Sequence, residues 1–303
     1  MAEEGFYFVE RCTEHFLRSI KIDRVLYEGY TPYQFVQIVY NRLLGKTLFL
    51  DRKMQSAEID ECVFHESLVH PALVAHPNPI DVLILGGGEG ATLREALRHG
   101  CVRKATMVDI DRKLVRLCEE FLPGWSRGAF SDARARVVFG DAQVFLKKCR
   151  RTFDVVISDL TEPIPGGPSV SLFTLEFFQR IQKALRKGGV FVLQAGSADV
   201  YYYQFFLSLV RTLQEVFPVV RPYWAYMFSF GMPWGFVTAS AEVDPLETQE
   251  KELRERLRTR KVRNLRYYHP GLHRGMFALP LYLIKGMKKA KVLTDKQPFI
   301  WEL

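Results

Sequence analysis

The sequence has no long apolar run. None of its uninterrupted apolar stretches reaches the roughly 18 residues that a membrane-spanning helix needs. Its start, residues 1–10, is acidic and aromatic, which does not fit a signal peptide. We therefore expect no membrane association. The 303 residues, 48% of them hydrophobic and 25% charged, fit a globular protein of one large domain or two modest ones.

Cysteine is scarce and dispersed. Five residues, Cys12, Cys62, Cys101, Cys118 and Cys149, contain no Cys-x-x-Cys pair, which argues against zinc-ribbon and thioredoxin-like sites. An odd, scattered set fits a reducing compartment, so a cytoplasmic location is expected. Nor does any cluster of His, Cys and Asp have the spacing of metal ligands, and we expect no metal.

Acidic residues are fewer than basic ones, 34 against 42, which gives a formal net charge of +8. This excess leaves nucleic-acid binding open as an alternative. However, the basic residues concentrate in residues 251–261 and 285–291, and glutamates interleave the first of these runs. Interleaved charges are typical of a solvated helix face, so nucleic-acid binding is the less favoured interpretation.

Two regions differ in their pattern. Residues 1–60 are rich in aromatic and β-branched residues between Gly, Pro, Asn and Asp, which predicts a small antiparallel β-domain. Strands are expected at residues 6–9, 20–27, 35–40 and 47–50. A helix from Asp60 to about Ala75 should follow, before His76 and Pro77.

Residues 61–303 are expected to form the catalytic domain, with a helical extension at the C-terminal end. Strands are predicted at residues 82–85, 105–108, 136–139, 153–158 and 190–194, and near Val219 and Phe236. Helices are predicted at residues 91–99, 112–121, 142–149, 175–186 and 202–217. Apolar strands that alternate with helices predict an α/β fold with a parallel sheet covered on both faces. Ligands of such sheets bind beyond the carboxyl ends of the strands.

A glycine loop, Gly86-Gly87-Gly88-Glu89-Gly90, directly follows the first strand of this region. Such a loop lets a ligand approach the main chain closely. Asp109 ends the next strand about 20 residues further on, where a carboxylate accepts hydrogen bonds from ribose hydroxyls. With Asp111 it predicts a nucleoside site, which leaves a nicotinamide dinucleotide and an S-adenosyl compound as alternatives.

Glu89 bears on that choice. In a dinucleotide site the glycine loop faces a pyrophosphate, which a carboxylate would repel. In an S-adenosyl site the same carboxylate would attract the sulfonium and the amine of the ligand. The alternative is a solvated glutamate in the first turn of a helix, which the helix dipole favours.

Asp141 follows the third strand. Its carboxylate can accept a hydrogen bond from an adenine amine or cap the following helix.

Two further acids, Asp159 and Glu162, end a central strand and precede a Pro/Gly-rich loop. A carboxylate in a water-poor pocket can hold an amine, orient its lone pair and accept its proton. Asp159 is the better candidate for the base because it lies closest to the strand end. The alternative is a turn-forming aspartate beside a solvated glutamate.

Together these residues resemble the spermidine synthase family, the polyamine aminopropyltransferases, over nearly the whole chain. Residues 55–71, 86–90, 159–167 and 194–196 are similar to the thermospermine synthase branch and to triamine or agmatine aminopropyltransferases, while residues 267–280 resemble a C-terminal signature of ordinary spermidine synthases. The resemblance implies a Rossmann-like parallel sheet of the S-adenosylmethionine-methyltransferase type with a small N-terminal antiparallel β-domain. It also implies homodimers or homotetramers.

The resemblance implies a role for each matching residue. Those expected to bind the donor, decarboxylated S-adenosylmethionine, are Gln34, Leu50, Gln55, His65, Gly86, Gly88, Glu89, Asp109, Asp141 and Ala142. Those expected to bind the acceptor amine are Phe64, Asp159, Glu162, Gln194 and Trp234. Asp159 is also the expected base. The donor is a co-substrate that leaves as methylthioadenosine, and no prosthetic group is expected.

Three departures from the family pattern concern the acceptor. Phe64 stands where many members have tyrosine, and Glu162 is one methylene longer than the usual aspartate. No tyrosine matches the residue that holds putrescine, and Tyr226 is the nearest. These differences favour spermidine, converted to thermospermine, or agmatine or another triamine, and leave putrescine as the alternative. Residues 201–203 and Trp224 could line the channel by cation–π contact or pack in the core.

Two rivals follow from the same residues. A methyltransferase that uses intact S-adenosylmethionine is the nearest enzymatic alternative, and Glu89, Asp159 and Glu162 argue against it. A non-catalytic, basic nucleic-acid-binding protein on the same scaffold is the alternative of another class. We expect an acidic active-site mouth despite the basic total.

Overall fold

A computed structural model describes residues 5–12, 15–150 and 152–301 of the chain. Of the N-terminal segment interpreted above, residues 1–4 lie outside the described residues, as do the last two residues of the predicted C-terminal extension. No helix in the described part combines the length and the apolar character needed to span a membrane.

Six antiparallel strands form the N-terminal part of the chain. They are β1 (Phe6–Arg11), β2 (Leu17–Ile22), β3 (Arg24–Tyr30), β4 (Phe35–Asn41), β5 (Gly45–Leu50) and β6 (Lys53–Ala57). Strands β1 and β2 pair in a two-stranded sheet, and β3 to β6 form a four-stranded sheet in chain order. The predicted antiparallel character is confirmed, and the division of the chain at residue 60 stays a prediction.

Two details of these strands differ from the prediction. The prediction of a single strand at residues 20–27 is wrong. Asp23 separates β2 from β3, and these two strands belong to different sheets. Strand β6 was not predicted. It follows a two-residue turn in which Asp51 and Arg52 both have positive φ angles, of 47° and 62°. This turn fixes the direction in which Lys53 and Met54 leave the hairpin.

A seven-stranded sheet forms the second part of the fold. Its strands are β7 (Asp81–Gly86), β8 (Lys104–Asp109), β9 (Ala135–Phe139), β10 (Phe153–Asp159), β11 (Leu185–Ser197), β12 (Val219–Met227) and β13 (Met232–Ser240). The strand order is β12-β13-β11-β10-β7-β8-β9. The five strands from β11 to β9 are parallel, and β13 runs antiparallel to both of its neighbours.

Helices cover this sheet and extend the chain. They are α1 (Glu61–Ala75), α2 (Ala91–Leu97), α3 (Arg112–Phe121), α4 (Pro123–Ser126), α5 (Ala142–Lys148), α6 (Leu175–Ala184), α7 (Gln204–Gln214), α8 (Glu250–Thr259), α9 (Pro270–Met276) and α10 (Leu281–Gly286). The predicted helix at 112–121 is confirmed to the residue. The helix predicted at 175–186 ends at Ala184, because β11 already begins at Leu185.

The central strands are apolar throughout because helices cover both of their faces. Val82, Leu83, Ile84 and Leu85 of β7 are fully buried, and two large hydrophobic clusters lie on the two sides of the sheet. The parallel strands β7, β8 and β10 all end at the same edge, and their last residues are Gly86, Asp109 and Asp159. This edge is where the sequence predicts the site.

Candidate active site

The glycine loop after β7 is joined to the end of β10 by backbone contacts. Gly87 N donates to Asp159 O at 2.9 Å. Gly86 has a φ of +80°, and a Cβ on it would lie 2.1 Å from the same carbonyl oxygen. Only glycine allows this approach. A Cβ on Gly88 would lie 3.0 Å from Oδ2 of Asp109, so the loop also passes close to the end of β8.

One cavity opens at this edge of the sheet. The predicted site residues that line it are Gln34, Leu50, Gln55, Phe64, Gly86, Gly88, Glu89, Asp109, Asp141, Ala142, Asp159, Glu162, Gln194 and Trp234. The structure therefore brings together residues from the N-terminal sheet, from α1 and from four strand ends. Among the predicted site residues, His65 does not line the cavity.

Asp109, at the end of β8, lines this cavity, whereas Asp111 is not among the lining residues. Asp111 N donates to Asp109 Oδ1 at 2.8 Å, and Gln34 Nε2 donates to Asp111 Oδ2 at 3.1 Å. Burial raises the pKa of Asp109 to about 6, with a further contribution from the negative charges of Asp111 and Asp159. Asp111 thus orients Gln34 and leaves the second carboxylate oxygen of Asp109 to a ligand.

Asp141 serves in the structure as the N-cap of α5. Its Oδ1 accepts from Val144 N at 2.9 Å, which confirms the capping interpretation. Asp141 and Ala142 also line the cavity. The two interpretations of Asp141 are therefore compatible, since one carboxylate oxygen caps the helix and the other is left over.

His65 lies behind Glu89. Its Nε2 is 2.5 Å from Glu89 Oε1 without the direction of a linear hydrogen bond, and its Nδ1 is 3.2 Å from Glu61 Oε2. Burial disfavours the charged imidazole, but attraction to Glu89 and Glu61 outweighs it and raises the pKa of His65 to about 10. Arg94 continues the chain of charges, with Nη2 2.8 Å from Glu61 Oε2.

Asp159, at the end of β10, is held by a hydroxyl group. Thr92 Oγ1, in the first turn of α2, donates to Asp159 Oδ2 at 2.6 Å. Burial raises the pKa of Asp159 to about 6; the charge of His65 lowers it, and the nearby Glu89 raises it. A carboxylate with this pKa is ionised near neutral pH and lies close to the range in which a base accepts protons efficiently.

Glu162 lies beyond Asp159 in the loop after β10. Gln194 Nε2 donates to Glu162 Oε1 at 3.3 Å, and Gln194 Oε1 accepts from Trp234 Nε1 at 3.0 Å. Burial raises the pKa of Glu162 to about 7. Three of the predicted acceptor-site residues are thus connected, from β13 through β11 to the loop.

The charge of the cavity lining has one sign. Its acidic residues are Glu89, Asp109, Asp141, Asp159 and Glu162, and no Lys, Arg or His is among the described residues that line it. Burial and mutual repulsion explain why the pKa values of Asp109 and Asp159 are raised. The lining agrees with the expected acidic mouth. The described residues contain no group of three or more His, Cys, Asp or Glu arranged to hold a metal ion.

Several lining residues were not predicted. They are Tyr33, Leu48, Met54, Ile110, Leu114, Leu172 and Phe230, together with Gly87 and residues 160–161 and 168–169. Most are apolar, and nothing in their sequence context separates them from core residues. Thr92 was also not predicted, although a hydroxyl group one position into a helix that follows a glycine loop is a usable signal.

Two aromatic residues named in the sequence analysis lie elsewhere. Tyr226 is 54% exposed and does not line the cavity. Trp224 donates its indole N–H to Ala278 O.

Comparison with known proteins identifies the family of this chain. A spermine/spermidine synthase domain matches residues 61–250, and a spermidine synthase tetramerisation domain matches residues 6–58. The chain belongs to the spermine/spermidine synthase family. The resemblance stated above is therefore confirmed, and the chain is an enzyme of the aminopropyltransferase class.

Relatives and solved structures agree with that assignment. Polyamine aminopropyltransferase 2 of Hyperthermus butylicus is 43% identical over 286 residues, 94% of this chain and 93% of the relative. Polyamine aminopropyltransferase of Sulfurisphaera tokodaii is 38% identical, over 97% of this chain and 98% of the relative. The crystal structure of spermidine synthase from Thermotoga maritima is similar with a TM-score of 0.86 and 33% identity, over 95% of this chain and 96% of that one.

A second solved structure, of spermidine synthase in complex with the transition-state analogue AdoDATO, is similar with a TM-score of 0.86 and 32% identity, over 95% of this chain and 96% of that one. These likenesses confirm the predicted fold class, a mostly parallel α/β sheet of the methyltransferase type with an N-terminal antiparallel β-domain.

Proposed function

We propose that this chain transfers the aminopropyl group of decarboxylated S-adenosylmethionine to a polyamine acceptor and releases methylthioadenosine. The observation that carries the proposal is one cavity at the carboxyl ends of β7, β8 and β10 whose charged lining residues, among those described, are all acidic. Both substrates are cations, the donor through its sulfonium and amine and the acceptor through its ammonium groups. Negative charge in a partly buried cavity attracts such ligands strongly.

The donor would lie along the glycine loop. Asp109 offers an oxygen to the ribose hydroxyls, and the second oxygen of Asp141, beside Ala142, suits an adenine amine. Gln34 and Leu50 close the cavity from the N-terminal sheet. Glu89 would face the donor's amine and sulfonium, and its charge would repel the carboxylate of intact S-adenosylmethionine. His65 supports Glu89 from behind.

Asp159 would act as the base. An alkylamine stays protonated near pH 7, since its pKa is about 10, and it must lose a proton before it can attack. In the step, the amine lone pair forms a bond to the methylene carbon beside the sulfonium. The carbon–sulfur bond breaks with its electrons going to sulfur, and the amine proton goes to Asp159. Thr92 fixes one oxygen of Asp159, which leaves the other for the amine.

The acceptor proposed is longer than putrescine or ends differently, as spermidine, another triamine or agmatine does. Phe64 lines the cavity without a hydroxyl group, and Tyr226 lies outside it. The cavity also adjoins a second one beyond Glu162, where the rest of a long acceptor would fit. The match of residues 6–58 to a tetramerisation domain supports a homo-oligomer, dimer or tetramer. The proposed location is the cytoplasm, which the scattered cysteines favour.

One incubation tests the proposal. The protein is supplied with decarboxylated S-adenosylmethionine and, separately, putrescine, agmatine, spermidine or norspermidine, and the products are separated by mass and retention time. We expect methylthioadenosine and an aminopropylated amine. Turnover with intact S-adenosylmethionine and not with the decarboxylated donor would support the methyltransferase alternative. Salt-sensitive RNA binding without turnover would support the nucleic-acid alternative.

A further inference from the structure

A second cavity, here called the distal chamber, adjoins the active-site cavity. It shares Met54, Glu162, Phe230 and Trp234 with that cavity. Its other lining residues are Glu10, Cys12, Arg18, Lys53, Ile164, Tyr202, Met232 and Trp301. Because Glu162 lines both cavities, an acceptor held at Asp159 that reaches past Glu162 extends into the distal chamber.

The charges of the two cavities differ in kind. The described lining of the active-site cavity holds acids and no base, whereas the distal chamber has two acids, Glu10 and Glu162, and two bases, Arg18 and Lys53. An ammonium group that passes Glu162 therefore moves from a negative environment into one whose formal charges cancel. A third or fourth nitrogen of a polyamine gains less there than at Asp159.

Arg18 already forms an ion pair with Glu10, the acid that such a nitrogen would bind. Its Nη2 forms an ion pair with Glu10 Oε2, and its Nη1 donates to Ser229 O. Because Glu10 is buried, water screens its charge little, and the guanidinium of Arg18 is the group that balances this charge. An acceptor ammonium must therefore share Glu10 with the guanidinium of Arg18 or displace it.

Lys53 adds a positive charge that no neighbour neutralises directly. Its Nζ donates to the backbone oxygen of Arg11 at 2.5 Å, a neutral acceptor. The tight turn at Asp51 and Arg52 fixes the backbone of Lys53 at the start of β6. Burial lowers the pKa of Lys53, although the charges of Glu10 and Glu162 oppose this. Lys53, Glu10 and Glu162 line the same chamber, so the positive charge of Lys53 attracts both acids there.

We propose that Arg18 and Lys53 determine acceptor specificity by competing with the distal ammonium groups of the acceptor for Glu10 and Glu162. The inference rests on the proposed function and adds which residues set the choice among amines. The distal chamber has room for a long acceptor, and the two cations lower the affinity that it would otherwise give to a nitrogen beyond Glu162. Neither residue lines the active-site cavity, so neither affects the donor directly.

The test compares acceptors in variants that lose one charge. Arg18→Met and Lys53→Met keep much of the apolar side-chain volume and remove the cation. We expect each to raise the ratio of kcat/KM for spermidine to kcat/KM for putrescine at least fivefold, with the donor KM within twofold of that of the unchanged protein. The effect should decline as ionic strength rises from about 0.05 to 0.5 M, because screening weakens the repulsion.

Lys21→Met is the matched control, since Lys21 is exposed on the same strand as Arg18 and lines neither cavity. Its ratio should stay unchanged. Adding Glu10→Gln to Arg18→Met should reverse the gain. Lys53→Gln repeats the test without disturbing an ion pair, should Arg18→Met fold poorly. An unchanged or lower spermidine-to-putrescine ratio in both Lys53→Met and Lys53→Gln, with normal donor KM, overturns the inference. Absence of any aminopropyl transfer in the unchanged protein overturns the proposed function instead.

Discussion

The imidazole Nε2 of His65 lies 2.5 Å from the carboxylate Oε1 of Glu89, and the opposite side of the ring faces Glu61. Burial would raise the pKa of Glu61, but the charges of His65 and Arg94 outweigh it and lower that pKa to about 2. On the other side of the ring, His65 fixes the position of Glu89 at the cavity from behind, through α1. Arg94 holds Glu61 from α2 in the same way.

Replacement of His65 by glutamine should weaken both the fold and the donor site. Loss of the cation leaves Glu89 without this partner, whereas Glu61 keeps its ion pairs with Arg94 and Arg266, and breaking such a buried pair costs about 3 kcal/mol. The pKa of His65 is raised from 6.5 to about 10, so its contribution is complete below about pH 6.5 and is lost as the pH rises through 10. Unfolding of both proteins by urea between pH 6 and 10 should show the stability difference shrinking.

His70→Gln provides the control for this prediction. His70 lies on the same helix, is equally buried and contacts Glu95 at 3.0 Å, but Glu95, unlike Glu89, does not line the cavity. Its replacement should reduce stability and leave the donor KM unchanged, whereas His65→Gln should raise the donor KM several-fold. Equal effects of both variants on the donor KM would mean that His65 acts only through general stability.

Asp159→Asn should remove most of the activity and leave the fold intact. The amide keeps the shape and can still accept from Thr92, but it cannot take a proton from the amine. We expect kcat to fall by roughly 10²–10⁴-fold, the range that general bases contribute. In the unchanged protein, activity should decline as the pH falls through about 6, where Asp159 becomes protonated. Asp132→Asn, which lies outside both cavities, should behave as the unchanged protein does.

Glu162→Gln should stabilise the protein while it weakens acceptor binding. Burial raises the pKa of Glu162 from 4.5 to about 7, so its ionisation opposes folding. Stability is lost as the pH rises from about 4.5 through 7, and the variant avoids this loss. Above pH 7 we expect a gain of about 2 kcal/mol in the free energy of unfolding and a higher acceptor KM. Below pH 4.5 the difference should vanish.

Thermal unfolding at pH 4 and pH 8 measures the first effect, and initial rates at several spermidine concentrations measure the second. Glu120→Gln, an exposed position on α3, is the control and should show neither. A variant that is less stable than the unchanged protein at pH 8 would contradict the assignment of Glu162 to a buried, acceptor-facing position.

Gly86→Ala should damage both the fold and the catalytic site. A Cβ at this position would lie 2.1 Å from Asp159 O, and the φ of +80° is unfavourable for alanine. We expect a loss of at least about 2 kcal/mol in stability and a displaced Asp159 with reduced kcat. Gly124→Ala is the matched control, because no atom lies within 4 Å of its added Cβ. The two variants should differ clearly in urea midpoint.

Local patterns predicted most of the fold. Strands β7 and β10 are continuous apolar segments of about the length a buried strand needs, and α3 has a capping aspartate before an amphipathic run. The short N-terminal strands were harder, since β2 and β3 are separated by one residue, Asp23, and have mixed burial. Whether they pair with each other depends on tertiary contacts that the sequence does not display.

The site was predictable where residues follow strand ends, as Glu89, Asp109 and Asp159 do. The distal chamber was not, because its charged residues Glu10, Arg18, Lys53 and Glu162 come from four separate segments. Glu162 was predicted as an acceptor residue, but Glu10, Arg18 and Lys53 each look like an ordinary surface charge in their own context. The contact of His65 with Glu89 was equally hidden, since helical periodicity shows which face is buried but does not identify the partner.

The hydrogen bond from Gly87 N to Asp159 O has a consequence for protein engineering. It ties the loop that cradles the nucleoside to the strand that carries the base, so a redesign of either half will disturb the other. Laboratory evolution toward new amines should therefore accumulate changes on the N-terminal hairpins, at positions such as 18 and 53, and leave the sheet edge as it is. With the specificity role proposed for Arg18 and Lys53, the choice of amine can change at these two positions without a change in the residues at the sheet edge.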